Sequence, residues 1–153
     1  MRLVDRHTGM EIIEPEECFG LLASEEIGRV GVVIGGVPEI FPVNYVLDGQ
    51  AVVFRTGFGT KLRGLEDGPL VFEVDRLDRG RRAAWSVVLH GRAQVVTGFE
   101  EPALRQRLAS LVLDTWVPND KPTVVRVTAE SVTGRRIRPR SPASGTGASE
   151  HLV

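Results

Sequence analysis

Arg55, Thr56, Thr60 and Lys61 fall within one short stretch, VVFRTGFGTKLRGL (residues 52–65), where an apolar run ends in a glycine-rich turn. That combination suits an anion, and a phosphate above all. Arg55 offers a two-pronged guanidinium, Lys61 a point charge and the threonines hydroxyl donors, while Gly57 and Gly59 allow close backbone approach. A helix opening near Thr60 adds unpaired N–H groups and its dipole. The same arrangement also occurs as plain surface charge where a strand turns into a helix, so residues further along the chain have to decide between the two.

The elements that would position this stretch are mostly strands. Residues 29–56 contain three β-rich runs separated by GG at 35–36 and DG at 48–49, the pattern of two consecutive hairpins. Pro38 and Pro42 have no N–H to give a ladder, so the middle run should be bent, bulged or at an edge across residues 38–44. PLVFEVDRLD (69–78) reads as a further strand. AAWSVVLHGRAQVVTG (83–98) reads as two strand segments, or one long strand, interrupted at Gly91, and PTVVRVTAESVTGRRI (122–137) as the last strand.

Helices are few. EPEECFGLLASEE (14–26) has Pro15 at an early helical position and glutamates at its positive end, with Phe19, Leu22 and Cys18 turned inward. TKLRGLED (60–67) suits a short helix. FEEPALRQRLASLVLDTW (99–116) carries apolar residues at 104, 108, 111 and 112 on helical spacing, with Pro118 beyond its end. Strands joined by short turns with so few helices predict a mainly β (α+β) fold, an antiparallel barrel with peripheral helices. The domain should span 1–138. The tail 139–153 lacks the large apolar groups needed to bury itself and is expected to be flexible.

Composition excludes several function classes. With 19 basic and 20 acidic residues in 153, the net charge of −1 gives no general pull toward nucleic acid or anionic membrane. One cysteine permits no internal disulfide, and Cys18 with three scattered histidines has no metal-ligand spacing, so no metal is expected. No apolar run approaches the roughly 20 residues that span a bilayer, which leads to the expectation of a soluble, cytoplasmic protein. Neither GxGxxG nor GxxxxGK[ST] occurs, so a Rossmann or P-loop nucleotide site has no support.

The order IGRVGVV, PVNYVLDG, VVFRTGFGTKL, PLVFEVDRLD, WSVVLHGRA resembles the pyridoxamine 5'-phosphate oxidase-like family of flavin-binding split β-barrels, over about residues 14–138. The resemblance implies an FMN-binding oxidoreductase acting on a small organic molecule. A deazaflavin-dependent reductase of the same fold, or a non-catalytic protein that stores or senses flavin, are the alternatives. By position it makes Arg55, Thr56, Thr60 and Lys61 the phosphate cradle, sets Pro42, Val43 and Asn44 beside the isoalloxazine ring, and puts Trp85 and Ser86 near the ring or its ribityl chain. It also implies a homodimer with the cofactor groove at the interface. Family members that oxidise pyridoxamine phosphate carry a basic, histidine-containing segment near the C-terminus. Here that region reads SVTGRRIRPRSP, so a different substrate is expected.

The remaining reactive residues have plainer readings. Cys18, crowded by glutamates, reads as a small buried residue with a raised thiol pKa. His90 reads as a hydrogen-bonded sheet histidine, Tyr45 as core packing, and Arg135, Arg136, Arg138 and Arg140 as a solvated strand end. No side chain stands out as a required acid or base.

Overall fold

The computed structural model describes residues 2–57, 68–98, 100–111 and 123–139. In chain order these form β1 (Glu11–Ile13), α1 (Pro15–Ala23), β2 (Ile27–Ile34), β3 (Val37–Asp48), β4 (Ala51–Thr56), β5 (Pro69–Asp78), β6 (Ala83–Val95), α2 (Pro102–Ser110) and β7 (Thr123–Ile137). Gly35 and Gly36, with φ of 57° and 78°, supply the left-handed pair that folds β2 tightly back onto β3. The expected short helix at 60–67 and the tail from residue 140 onward lie outside the described residues.

Every strand pairing is antiparallel, and the order β1-β7-β4-β3-β2-β5-β6 closes through a further β6–β7 ladder. Six strands therefore make a closed barrel, the architecture read from the sequence. β7 is long enough to change partners. Residues 123–128 pair with β4 and residues 134–136 with β1, while β6 runs along the other side from 125 to 137. β1 went unread in the sequence because three residues, EII, carry no periodicity of their own.

The barrel interior is filled by alternate residues. Val30 and Val32 of β2, Val52 and Phe54 of β4, Phe72 and Val74 of β5, Val87 and Leu89 of β6, and Val125 and Val127 of β7 are all buried. Each such side chain contributes about 1.5–3 kcal/mol. The expected interruption at Gly91 is a bulge: the β6–β7 register shifts between His90 and Gly91. A Cβ at Gly91 would lie 2.3 Å from the Thr128 carbonyl oxygen, so the two backbones approach more closely than any other residue permits.

α1 closes the end of the barrel nearest β1 and the C-terminal half of β7. Cys18 and Leu22 are fully buried, and a Cβ at Gly134 would meet the Cys18 sulfur at 2.7 Å. The thiol lies 3.7 Å from the Ile13 carbonyl oxygen it faces, and burial, reinforced by Glu17, raises its pKa. Tyr45 donates its hydroxyl to the Leu22 carbonyl and meets the Phe72 ring edge-on at 4.9 Å, which bears out its reading as core.

α2 is shorter in the described residues than its sequence pattern, ending at Ser110, and it buries no residue. Its main tie is ionic. Asp48, at the end of β3, accepts from Arg107 of α2 at 3.1 Å and from Arg126 of β7 at 3.0 Å.

Candidate functional site

The β3–β4 ladder begins at Asp48–Ala51 and ends at Tyr45–Phe54. Beyond that last pair the two strands part. β4 continues against β7, with Arg55 opposite Val124 and Thr56 opposite Thr123, while β3 continues against β2, with Asn44 opposite Ile27 and Pro42 opposite Arg29. Residues 37–44 thus form an edge among the described residues, one of the three arrangements that the two prolines allow, because a residue without an N–H costs least where one ladder is missing.

The fork brings together five of the nine residues singled out from the sequence: Pro42, Val43, Asn44, Arg55 and Thr56. Their side chains divide between the two faces of the sheet. Arg55 and Pro42 are exposed and Asn44 is half-buried, whereas Val43 and Thr56 are buried at 4% and 2% exposure. A ligand on the outer face therefore meets Val43 through its backbone. Asn44 directs its side-chain N–H toward the Glu26 carbonyl at 3.5 Å, and the Tyr45 N–H donates to the same oxygen at 3.1 Å, which fixes the bend of β3 against the end of β2.

Arg55 has no ion-pair partner among the described residues. Its neighbours on the same side of the barrel do: Arg107 and Arg126 share Asp48. Arg107 and Arg126 divide the single negative charge of Asp48 between them, whereas no carboxylate among the described residues pairs with Arg55. Thr60 and Lys61, the other half of the expected cradle, lie outside the described residues.

Trp85 and Ser86 are not at the fork. They sit near the start of β6, opposite Arg136 and Arg135 of β7 and opposite Arg76 and Asp75 of β5. β6 is separated from β3 by β2 and β5, about 14 Å of sheet at roughly 4.8 Å per strand. Trp85 is half-buried and packs on the core, and it lines a cavity of about 440 Å³ together with Arg76, Arg81, Arg136 and Arg138.

Most of those arginines are committed. Arg136 and Arg138 pair with Glu11, Arg136 also with Glu17, Arg135 with Asp5 and Arg76 with Glu25. The Arg138 guanidinium is the main reason that the Glu11 carboxyl is held below its ordinary range. Of the arginine run read as a solvated strand end, Arg135, Arg136 and Arg138 instead fasten the N-terminal segment, β1 and α1 to β7, and Arg140 lies outside the described residues. His90 differs from its reading in the opposite sense: its backbone is in the sheet, but its exposed side chain makes no hydrogen bond among the described residues.

Sequence reasoning missed one acidic cluster on the outer face. Arg29 lies 3.0 Å from Glu73 and 3.6 Å from Asp75. Burial and the neighbouring Asp75 carboxylate push the Glu73 pKa up to about 7 against the pull of Arg29. The signal was present as alternate acids in FEVD, but only the pairing of β2 with β5 brings Arg29 to them. Among the described residues no group of histidine, cysteine and carboxylate side chains could hold a metal ion, and no helix is long and apolar enough to cross a membrane.

Comparison with known proteins fits this architecture. The family model for pyridoxamine 5'-phosphate oxidase matches residues 14–136. The chain belongs to the pyridoxamine 5'-phosphate oxidase-like family. An uncharacterized protein of Mycobacterium tuberculosis, Rv0080, is 37% identical over 144 residues, covering 89% of this chain and 92% of its own. Among solved structures, a candidate pyridoxamine 5'-phosphate oxidase of Corynebacterium glutamicum superposes with a TM-score of 0.73 at 30% identity, covering 87% of this chain and 96% of its own. An FAD binding protein of Mycobacterium smegmatis superposes with a TM-score of 0.65 at 32% identity, covering 83% of this chain and 97% of its own. The split-barrel fold expected of the family is the one this chain adopts.

Proposed function

We propose that this chain is a flavin-binding oxidoreductase whose cofactor phosphate is held at the fork between β3 and β4. The observation that carries the reading is Arg55, exposed and without an ion-pair partner among the described residues, at the point where a strand edge comes free beside it. The M. smegmatis relative, an FAD binding protein at 32% identity, supports a flavin as the cofactor.

The fork fits such a group chemically. Arg55, joined by Lys61 and Thr60 from the following stretch, neutralises phosphate, and the edge backbone of residues 42–44 supplies the donors and acceptors that a flavin ring requires. Asn44 both donates and accepts. Once bound, the flavin supplies the redox chemistry. The chain's own part is to bind, orient and shield it.

Trp85 and Ser86 reach the same cofactor from a second subunit. Within one protomer they stand twelve residues of β7 away from the fork, so a groove that uses both sets is completed across a symmetric homodimer. Exposed Ile40, Val37 and Val33, at 72%, 56% and 54% exposure along the β2–β3 hairpin, supply apolar surface for such contact.

None of the five residues at the fork is a histidine, a cysteine or a carboxylic acid. This favours, as a second reading, a protein that holds flavin without turning it over. Titration with FMN, FAD and a deazaflavin, followed by fluorescence, tests binding. Arg55→Ala and Lys61→Ala are each expected to weaken it by about 1.5–3 kcal/mol. Unchanged affinity in both variants refutes the site. Reoxidation of bound reduced flavin by an organic acceptor faster than that of free flavin separates the enzyme from the store.

A further inference from the structure

A second feature adjoins the fork. Between the outer sides of β4 and β7 and the underside of α2 lies a cavity of about 300 Å³, walled by Val53, Val124 and Leu108 and bordered by Arg55, Arg105 and Glu100. Its size is at the lower end of the roughly 300–1,000 Å³ typical of small-molecule sites. Arg55 belongs both to the fork and to the lining of this cavity, so the two adjoin at its side chain.

The charges at its rim are distributed unequally. The Glu100 carboxylate accepts from the backbone N–H groups of Thr97 at 2.5 Å and Gly98 at 2.8 Å, and those bonds hold its pKa below the ordinary value. Glu100 therefore stays ionised, with its oxygens turned to the backbone between β6 and α2. Arg107, two residues along the helix from Arg105, is bound to Asp48. Arg105 is exposed and, like Arg55, has no ion-pair partner among the described residues. Two uncommitted guanidiniums therefore flank an apolar chamber.

We propose that this cavity receives the second phosphate and the adenosine of a dinucleotide flavin, with Arg105 as the residue that selects FAD over FMN. The inference rests on the flavin reading above and specifies the cofactor. Arg55 takes the phosphate shared by both flavins, Arg105 takes the phosphate that only FAD carries, and the valine and leucine walls cover the purine. The carboxylate tail of a deazaflavin has no ring to lay against such walls and loses water beside them. Leu108 on the underside of α2 is only half-buried and so leaves apolar surface toward the cavity.

The test is the ratio of FMN to FAD dissociation constants, measured by flavin fluorescence on the full chain, with circular dichroism to verify folding. Wild-type protein is expected to bind FAD at least tenfold tighter than FMN. Arg105→Ala removes about tenfold of that preference while leaving FMN affinity unchanged, and Arg105→Lys restores part of it. Equal affinities for the two flavins, a preference untouched in Arg105→Ala, or tighter binding of a deazaflavin than of FAD overturns this inference alone. Binding of no flavin overturns it together with the flavin reading.

Discussion

Arg55 and Trp85 are held at opposite ends of one strand: Arg55 faces Val124 across the β4–β7 ladder, and Trp85 faces Arg136 across the β6–β7 ladder. Twelve residues of β7 separate those partners, about 40 Å of strand at roughly 3.3 Å per residue.

If one cofactor touches both residues, they come from different subunits. Arg55→Ala and Trp85→Ala protomers, each deficient in flavin binding, are then expected to complement when unfolded and refolded together. Random pairing makes half the dimers mixed, and each mixed dimer regains one intact groove, so about a quarter of all sites recover. Absence of recovery in refolded, dimeric mixtures sinks the shared groove.

Asp48 ties β3, α2 and β7 through Arg107 and Arg126, and hydrogen bonds from the two arginines lower its pKa. A depressed carboxyl stabilises the fold above its unfolded pKa and loses that contribution as pH falls through the folded value. Asp48→Asn is therefore expected to cost about 1–3 kcal/mol at pH 7. Urea unfolding should show the gap between variant and wild type closing below about pH 4.

Glu73 behaves in the opposite sense. Its pKa, raised to about 7, means that the folded state holds the proton more tightly than the unfolded chain, and stability falls as pH rises from the ordinary glutamate value of 4.5 through 7. Glu73→Gln is expected to raise the melting temperature relative to wild type at pH 8, with the difference vanishing below about pH 4.5. Melting curves that run parallel across this range remove the account of Glu73 as a strained member of the Arg29 cluster.

Gly91→Ala places a methyl group 2.3 Å from the Thr128 carbonyl oxygen and 2.8 Å from a Val127 methyl, both on β7. Neither neighbour yields cheaply, since one is backbone and the other belongs to a fully buried residue. A loss of about 2–3 kcal/mol, read as a melting temperature lower by roughly 4–10 °C, is expected.

Much of the barrel was legible because its signals are local. The GG and DG turns, period-2 alternation and the Gly91 interruption mark strands within a few residues of their observed ends. The two prolines marked residues 38–44 as bent, bulged or at an edge, and the structure shows the edge. β1 was not legible, because three residues acquire strand character only from the β7 edge and from the Glu11 pairs with Arg136 and Arg138. Nor was Arg105. On a helical wheel it is one more surface cation, and its significance comes from the cavity shared with Arg55 and from Asp48 having already taken Arg107.

The amino-acid sequence alone determined the succession of the six barrel strands, the barrel class and the identity of the residues suited to an anion, because turn chemistry, periodicity and charge act over a few neighbouring positions. Only the tertiary structure decided which of those residues share a place. The β3–β4 ladder stops at Tyr45–Phe54 and so sets Asn44 and Arg55 at one fork, while the β6–β7 ladder holds Trp85 at the other end of β7. It also decided which arginines are available, since pairing to Glu11, Glu17, Asp48 and Asp5 depends on strands far apart in sequence. A side chain's charge is a property of its residue, but whether that charge is already neutralised is a property of the fold.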